Sequence, residues 1–502
     1  MKNGFELLLE NLVGRYKNRI FMTDARIERS IGYSDFLELV EKSAEKLKKA
    51  GISAGDRVLL FMGNSIEFSA DFYAITFLHA VAVPVNTNLK SEELEYIMDD
   101  TSAAGILVDD EFLERAEDAA KALGYVPQPE IFQQGINLIT LNDHAVKDLT
   151  DTTAMLLYTS GTTGHPKGVI LSFDNLLSKA ADVIEMHQLT DQDVTLCMMP
   201  WFHINGLVIT MISSFVCGEK MVIAGKFSVS KFWQYVEKYG ATWFSGVPAM
   251  YSHLLARGIP EYGTHSTLRF ARSASSALPG AVLHEFEEKT GIPVIESYGI
   301  TEGAAPITCN PLPPRPRKVG SVGIPYGNRI SIRRPDGSEC ETGEAGEVWI
   351  CGANVTSGYY HKPQETEKSF TGEWFHSGDV GRLDEEGYLF LSGRIKELIN
   401  RAGEKFSPIE VDEVLYRLPQ VELAATVGVP DPVYSEVPVA FLKLKDGEVL
   451  DEQTVRDWCS ERLASYKVPA EVHFVDSIPQ GGNGKIQRLK LVAVYNEMKG
   501  NN

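Results

Sequence analysis

Residues 158–169 read YTSGTTGHPKGV: three glycines, three threonines and a serine around one lysine, Lys167. Glycine lets the backbone come close to a ligand, so several N–H groups can turn toward one anion. The hydroxyls add donors and Lys167 adds charge, which suits the stretch to phosphate. It is not a Walker A loop, which needs glycine before the lysine and Ser or Thr after it. Here Pro166 precedes Lys167 and Gly168 follows. On composition alone the same residues also fit a surface turn. Two other groups stand out by position. His203 follows the apolar run MMPWF, and Lys485 sits among glycines in GGNGKIQR near the end of the chain.

The elements that must hold these residues follow from periodicity. DRVLLFM (56–62) reads as a buried strand, SIEFSADFYAITFLHA (65–80) has helical spacing, and VAVPVN (81–86) is a strand again. The alternation returns in KMVIAGK, SVSKFWQYVEKYG and ATWFSGVP, and again in LRFARSA, PGAVLHEFEEKTG and IPVIESYG. Strands alternating with helices predict parallel sheets in an α/β fold. TTAMLLYT, a predicted strand, leads into the Gly-rich stretch. From about residue 320 to 395 short strands and glycine turns predict a small β-rich subdomain. After IKELIN a separate α+β pattern begins, with a helix at SPIEVDEVLYRL and strands at VELAATVGVP and VPVAFLKLK.

At 502 residues the chain is too long for one core, so two domains are expected. A net charge of −20 argues against a broad nucleic-acid or anionic-membrane surface, though not against a local phosphate site. Six cysteines without a CxxC pair indicate reduced thiols and a cytoplasmic setting. The N-terminus shows no signal-peptide core. The longest apolar run, GLVITMISSFVCG (206–218), is too short to span a bilayer.

The Gly-rich run resembles the phosphate loop of the adenylate-forming superfamily, which includes acyl-CoA synthetases, luciferases and nonribosomal adenylation domains. Five further motifs follow in the family's order: MPWFHINGL (199–207), ESYGITE (296–302), WFHSGD (374–379), GRIKELINRAGEKFSPIEVDEVL (393–415) and GGNGKIQR (481–488). The resemblance covers essentially the whole chain. It implies an AMP-forming acid–thiol ligase using ATP, Mg²⁺ and coenzyme A: a carboxylate attacks the α-phosphate of ATP, and the acyl adenylate then meets a thiol. It also implies two domains, 1–393 with the ATP and acyl sites and 394–502 as a mobile lid.

The same resemblance assigns roles. Thr159, Ser160, Gly161, Thr162, Thr163, Gly164 and Lys167 would hold the β- and γ-phosphates. Glu302 would bind Mg²⁺, Thr301 would reach the α-phosphate, and Tyr298 with Gly299 would meet adenine. Ser275 would contribute to the adenine and acyl contacts. Asp379 would accept from the ribose hydroxyls, with Arg394 donating nearby. His203 would form a wall of the acyl site. Lys485 would bridge the substrate carboxylate and the α-phosphate. Lys396 matches the hinge, and Gly403 would stand at the mouth of a thiol tunnel.

Some positions depart from the family. Ser273-Ala274-Ser275-Ser276 replaces a common Ser-Gly-Gly-Ala, and Ser435-Glu436 replaces a common Gly-Glu. Phe202-His203 stands where amino-acid-activating relatives carry aspartate, which argues against an amino acid substrate. RSASS, CNPLP and INRAGEKFSPIEVD look closest to a branch with oxalate–CoA and some fatty-acyl-CoA ligases. Phe202, Trp243 and Phe244 offer apolar walls, so a short- to medium-chain monocarboxylic acid comes first and oxalate second. A small diacid would want a cation; Arg272 lies in the right segment, but strand alternation leaves its direction open. A carrier protein in place of free CoA is the alternative partner, and a homodimer is left open.

Overall fold

The computed structural model describes residues 2–141, 148–159, 166–481 and 486–500. Two large sheets carry the N-terminal part. The first is seven-stranded, with Gly105–Asp109, Arg57–Phe61, Val81–Pro84 and Thr153–Thr159 parallel at its centre. The second is nine-stranded, with Val294–Ile300, Phe270–Ser273, Trp243–Gly246, Val194–Cys197, Lys220–Ile223 and Ile20–Asp24 parallel in sequence across it. The sheets are not parallel throughout, as alternation alone had implied. Their edges turn antiparallel: Lys167–Ser172 returns beside Thr153–Thr159, and Ala305–Cys309 returns beside Val294–Ile300. A short hairpin can reverse direction at an edge without the crossover helix that parallel strands need.

The helices begin where the sequence supplies caps. Ser65 accepts from the Phe68 N–H at the start of Ile66–Phe77, and Ser172 forms a capping box on Phe173–His187. Ile66–Phe77 is buried almost all round, which explains its weakly amphipathic sequence. The apolar run at 206–218 folds as a buried π-helix, Asn205–Ile212, and a short α-helix, Ser213–Cys217. Among the described residues no helix is long and apolar enough to cross a membrane.

The β-rich subdomain is a five-stranded sheet built on Asn328–Arg333, Gly346–Gly352 and Trp374–Leu383, with Leu389–Arg394 paired to the last. The smaller C-terminal domain has its own sheet, in which Val421–Asp431 and Ser435–Leu444 form the long central hairpin. Helices Pro408–Leu415, Glu452–Ser460 and Arg488–Gly500 accompany it. Its core of Ile399, Phe406, Val411, Leu415, Ala440 and Val455 is distinct from those of the large sheets.

Candidate active site

The strands that flank the Gly-rich stretch are antiparallel. Thr159 pairs with Lys167 at the ends of two antiparallel strands, so the chain leaves and re-enters the sheet at one edge. Ser160, Gly161, Thr162, Thr163 and Gly164 lie outside the described residues. Lys167 makes an ion pair with Glu365 and stands over the Tyr359 ring, 5.2 Å from its centroid. The Tyr359 hydroxyl donates to Glu302 Oε1 at 2.8 Å. Burial and the neighbouring Glu302 carboxylate raise the Tyr359 phenol, so it stays a donor. Lys167 and Glu302, far apart in sequence, are thus linked through one aromatic ring that the sequence did not single out.

Thr301 and Glu302 occupy a 3₁₀ turn, Thr301–Gly303. Ala304 and Ala305 follow with φ of 53° and 103°, two left-handed residues in a row without glycine. Such strain persists only where the surroundings fix it, and it gathers at functional sites. Gly299 stands at a register shift between Val294–Ile300 and Ala305–Cys309. A Cβ there would lie 2.5 Å from the Ala305 carbonyl oxygen, so only glycine fits.

Asp379 is 6% exposed and receives two donors. The Tyr298 hydroxyl reaches its Oδ2 at 2.6 Å, and Arg394 Nε lies 3.2 Å from its Oδ1. The carboxylate beside it holds the Arg394 guanidinium further toward its charged form. Burial and then Asp379 raise the Tyr298 phenol. The structure adds this hydrogen bond to the adenine contact expected of Tyr298, whose ring is largely covered by neighbours such as Ile300, Ile307 and Phe375.

A second group forms at the carboxyl ends of the central strands. In open α/β sheets ligands bind outside those ends. Ser245 and Arg272 sit side by side in register on neighbouring parallel strands. Asn205 opens the π-helix above them, and such helices often mark functional positions. Its Oδ1 accepts from Arg272 Nη1 and from Ser245 Oγ, both at 2.8 Å. Its Nδ2 donates to Ser275 Oγ at 3.4 Å. His203, two residues earlier, has a buried Nε2 without a hydrogen-bond partner among the described residues. Burial lowers its pKa to about 4, so the ring is neutral near pH 7. Asn205 and Ser245 were missed in the sequence, where neither stands in a polar pattern.

Arg272 therefore points to the same side as Ser245 and Asn205. The apolar walls expected of Trp243 and Phe244 are a correction. Neighbours on a strand face opposite ways. Trp243 stacks on Phe270 and donates to buried Glu219, while Phe244 packs against Phe232 and Tyr251. Both are fully buried core residues. Phe202 remains beside His203, with ring centroids 4.6 Å apart.

In the C-terminal domain Gly403 lies in an exposed turn at φ 96°, with open space where a Cβ would stand. Lys396 is exposed just after Arg394. Lys485 lies outside the described residues, but the chain on both sides is anchored. Gln480 bridges Ile486, and Arg488 bonds Asp412 at 2.6 Å and the Thr426 carbonyl at 2.7 Å.

The AMP-binding enzyme family matches residues 9–360, and the AMP-binding enzyme C-terminal domain matches residues 410–485. The chain is 37% identical to an oxalate–CoA ligase of Arabidopsis thaliana, over 97% of this chain and 98% of that one. It is also 37% identical to a sulfoacetate–CoA ligase of Cupriavidus necator, over 88% of each chain. The solved structure of ATP-bound MatB from Rhodopseudomonas palustris superposes with a TM-score of 0.88 at 28% identity, covering 98% of this chain and 99% of that one. The chain belongs to the AMP-binding enzyme family, within the adenylate-forming superfamily.

Proposed function

We propose that the chain is an ATP-dependent acid–CoA ligase working in two steps at one site. A carboxylate oxygen of the acid attacks the α-phosphorus of ATP, and the bond to pyrophosphate breaks. The thiol of CoA then attacks the acyl carbonyl, and AMP leaves. The observation that carries this reading is the placement of two carboxylates with different surroundings. Asp379 is buried and held by Tyr298 and Arg394, as a ribose anchor must be. Glu302 has only its Oε1 engaged by a side chain among the described residues.

That arrangement fits Mg²⁺. A hard cation needs an oxygen ligand, and it retains waters and phosphate oxygens rather than demanding a full protein cage. Among the described residues no cluster of three His, Cys, Asp or Glu forms, consistent with one carboxylate contact. When bound, Mg²⁺ would offset charge on the phosphates. Glu302, held by the Tyr359 hydroxyl, would be its carboxylate ligand, and Lys167 stands over the same ring.

Thr159 to Gly164 and Lys167 act on the β- and γ-phosphates, Thr301 on the α-phosphate, Tyr298 and Gly299 at adenine, and Ser275 and His203 beside the acyl group. Lys485 enters for adenylation. The division falls near residue 393: the lid, 394–502, turns about Lys396, withdraws Lys485 and brings Gly403 toward the thiol. The acid is a small carboxylic acid. A fatty acid has no support from the named relatives, and with Trp243 and Phe244 packed into the core only Phe202 is left of the expected apolar walls. The six cysteines, none in a disulfide, suit a reducing cytoplasm. The test is a panel of small acids assayed for pyrophosphate and AMP release with and without CoA. Acid-dependent pyrophosphate release with no thioester on adding CoA would remove CoA as the acceptor.

A further inference from the structure

Two arginines are buried among the described residues, and they are treated differently. Arg57 is 0% exposed and saturated by backbone. Its Nε donates to the Thr101 carbonyl at 2.6 Å, Nη1 to Gly55 at 3.0 Å and Nη2 to Ser102 at 3.2 Å. Asp148 stands 3.9 Å away. Arg57 behaves as a structural residue.

Arg272 is 2% exposed, yet it has no carboxylate partner among the described residues. Its bonds run from Nη1 alone, to two neutral atoms, Asn205 Oδ1 and Ser245 Oγ. Its Nε is buried without a partner. A guanidinium has five N–H donors in a fixed fork matched to a carboxylate or another oxyanion. A buried, unpaired charge is strongly unfavourable, and the burial shows as a pKa lowered to about 10. One further polar atom in this region is orphaned in the same way, His203 Nε2. Buried polar atoms are ordinarily satisfied, so a cluster of orphans calls for an explanation. The cluster lies at the carboxyl ends of adjacent parallel strands, under the π-helix that begins two residues after His203, where the acyl group is placed.

We infer that Arg272 receives a second anionic group on the substrate, so that the acid activated here is a short dianion, a dicarboxylate or a sulfonate-bearing carboxylate. This rests on the ligase reading and narrows its substrate. One acidic group of the dianion is adenylated, while the other docks on the guanidinium. Asn205 and Ser245 hold the fork in place by occupying Nη1, which leaves Nε and Nη2 for the incoming oxygens. A neutral methyl at that position would leave the charge unpaired. A site built for a polar group discriminates strongly against an analogue lacking it.

The experiment uses the full chain with Mg²⁺-ATP and CoA. Oxalate, malonate, succinate and sulfoacetate are compared with acetate, propionate and butyrate. The wild type should favour at least one dianion over every monoacid by about 10²-fold or more in kcat/KM. Arg272→Met should remove most of that preference and change the monoacids less than about threefold. Arg272→Lys should restore part of it. ATP affinity, measured without acid, reports whether each variant keeps its nucleotide site. If Arg272→Met does not fold, Arg272→Lys decides, through a raised KM for dianions with monoacids unaffected. Equal losses for both classes, or a wild type that prefers monoacids, would overturn the inference alone. Failure of every acid to drive CoA-dependent AMP formation would overturn the ligase reading with it. Sulfoacetate against the dicarboxylates shows which oxyanion fits.

Discussion

The proposed nucleotide end and the proposed acyl end of this site are built on opposite plans. At the first, Asp379, Glu302 and Lys167 each have a partner among the described residues. Asp379 is held by Tyr298 and Arg394, Glu302 by Tyr359, and Lys167 by Glu365. At the acyl end, Arg272 Nε and His203 Nε2 are buried without partners among the described residues. ATP is the same in every turnover, so a preorganised end loses nothing by being complete before binding. The acyl end must tell acids apart, and groups satisfied only by the right substrate do this through differential binding.

Lys485 tests where that contrast stops, because it would touch both ends at once. Lys485→Ala should lower acyl-adenylate formation by about 10²-fold or more, the effect of losing one charge contact in the transition state. Thioester formation from presynthesised acyl adenylate should be spared. Equal loss in both half-reactions would detach Lys485 from adenylation. Asp379→Ala comes next and probes the complete end. It removes the proposed ribose acceptor and strips Arg394 and Tyr298 of their shared partner. kcat/KM for ATP should fall about tenfold to 10²-fold, by the same factor for every acid. A factor that varied with the acid would mean that the two ends are coupled and the contrast is false.

Much of the nucleotide end was legible in sequence because its residues come in short local motifs. YTSGTTGHPKGV, ESYGITE and WFHSGD each gather their candidate side chains within a few positions. The pairings between motifs were not legible. Glu302 and Tyr359 are 57 positions apart, and Asp379 meets Tyr298 across 81. Nothing local marks Tyr359 in a run of small and aromatic residues. The acyl end failed more sharply. Trp243 and Phe244 were read as walls from their apolar character, but the strand sends them into two different cores. Asn205 and Ser245 gain meaning only once Arg272 is seen between them. The antiparallel sheet edges were hidden too, since alternation of strand and helix fixes only the interior strands.

The neutral, buried state of His203 gives the acyl end a dependence on pH. Its folded pKa of about 4 lies below the ordinary 6.5. Between those values the unfolded chain binds a proton that the folded chain refuses. Stability therefore rises with pH across the window and is lost as pH falls from about 6.5 toward about 4. His203→Gln should flatten the melting temperature in that interval, by a few degrees at about pH 4.5. The same acid sensitivity in wild type and variant would place the titration elsewhere.

The smallest effect isolates backbone strain from chemistry at two serines. Ser275 and Ser435 both adopt left-handed φ, 74° and 69°, at positions where the family commonly has glycine. An L-residue there costs about 1–2 kcal/mol. Glycine returns about 0.5–1 kcal/mol of that through its greater freedom when unfolded. Either Ser→Gly change should therefore stabilise the fold by up to about 1 kcal/mol. Ser435 is exposed on the C-terminal hairpin, so Ser435→Gly should leave the first half-reaction untouched. Ser275 Oγ accepts from Asn205 Nδ2, and Asn205 in turn fixes Arg272. Ser275→Gly should give the same stability gain but loosen that chain of contacts, raising KM for the acid a few-fold while KM for ATP stays put. The loss should be confined to acids that use Arg272. If both variants behave alike in catalysis, Ser275 is only a strained turn residue, and the acyl end is less tightly assembled than its hydrogen bonds imply.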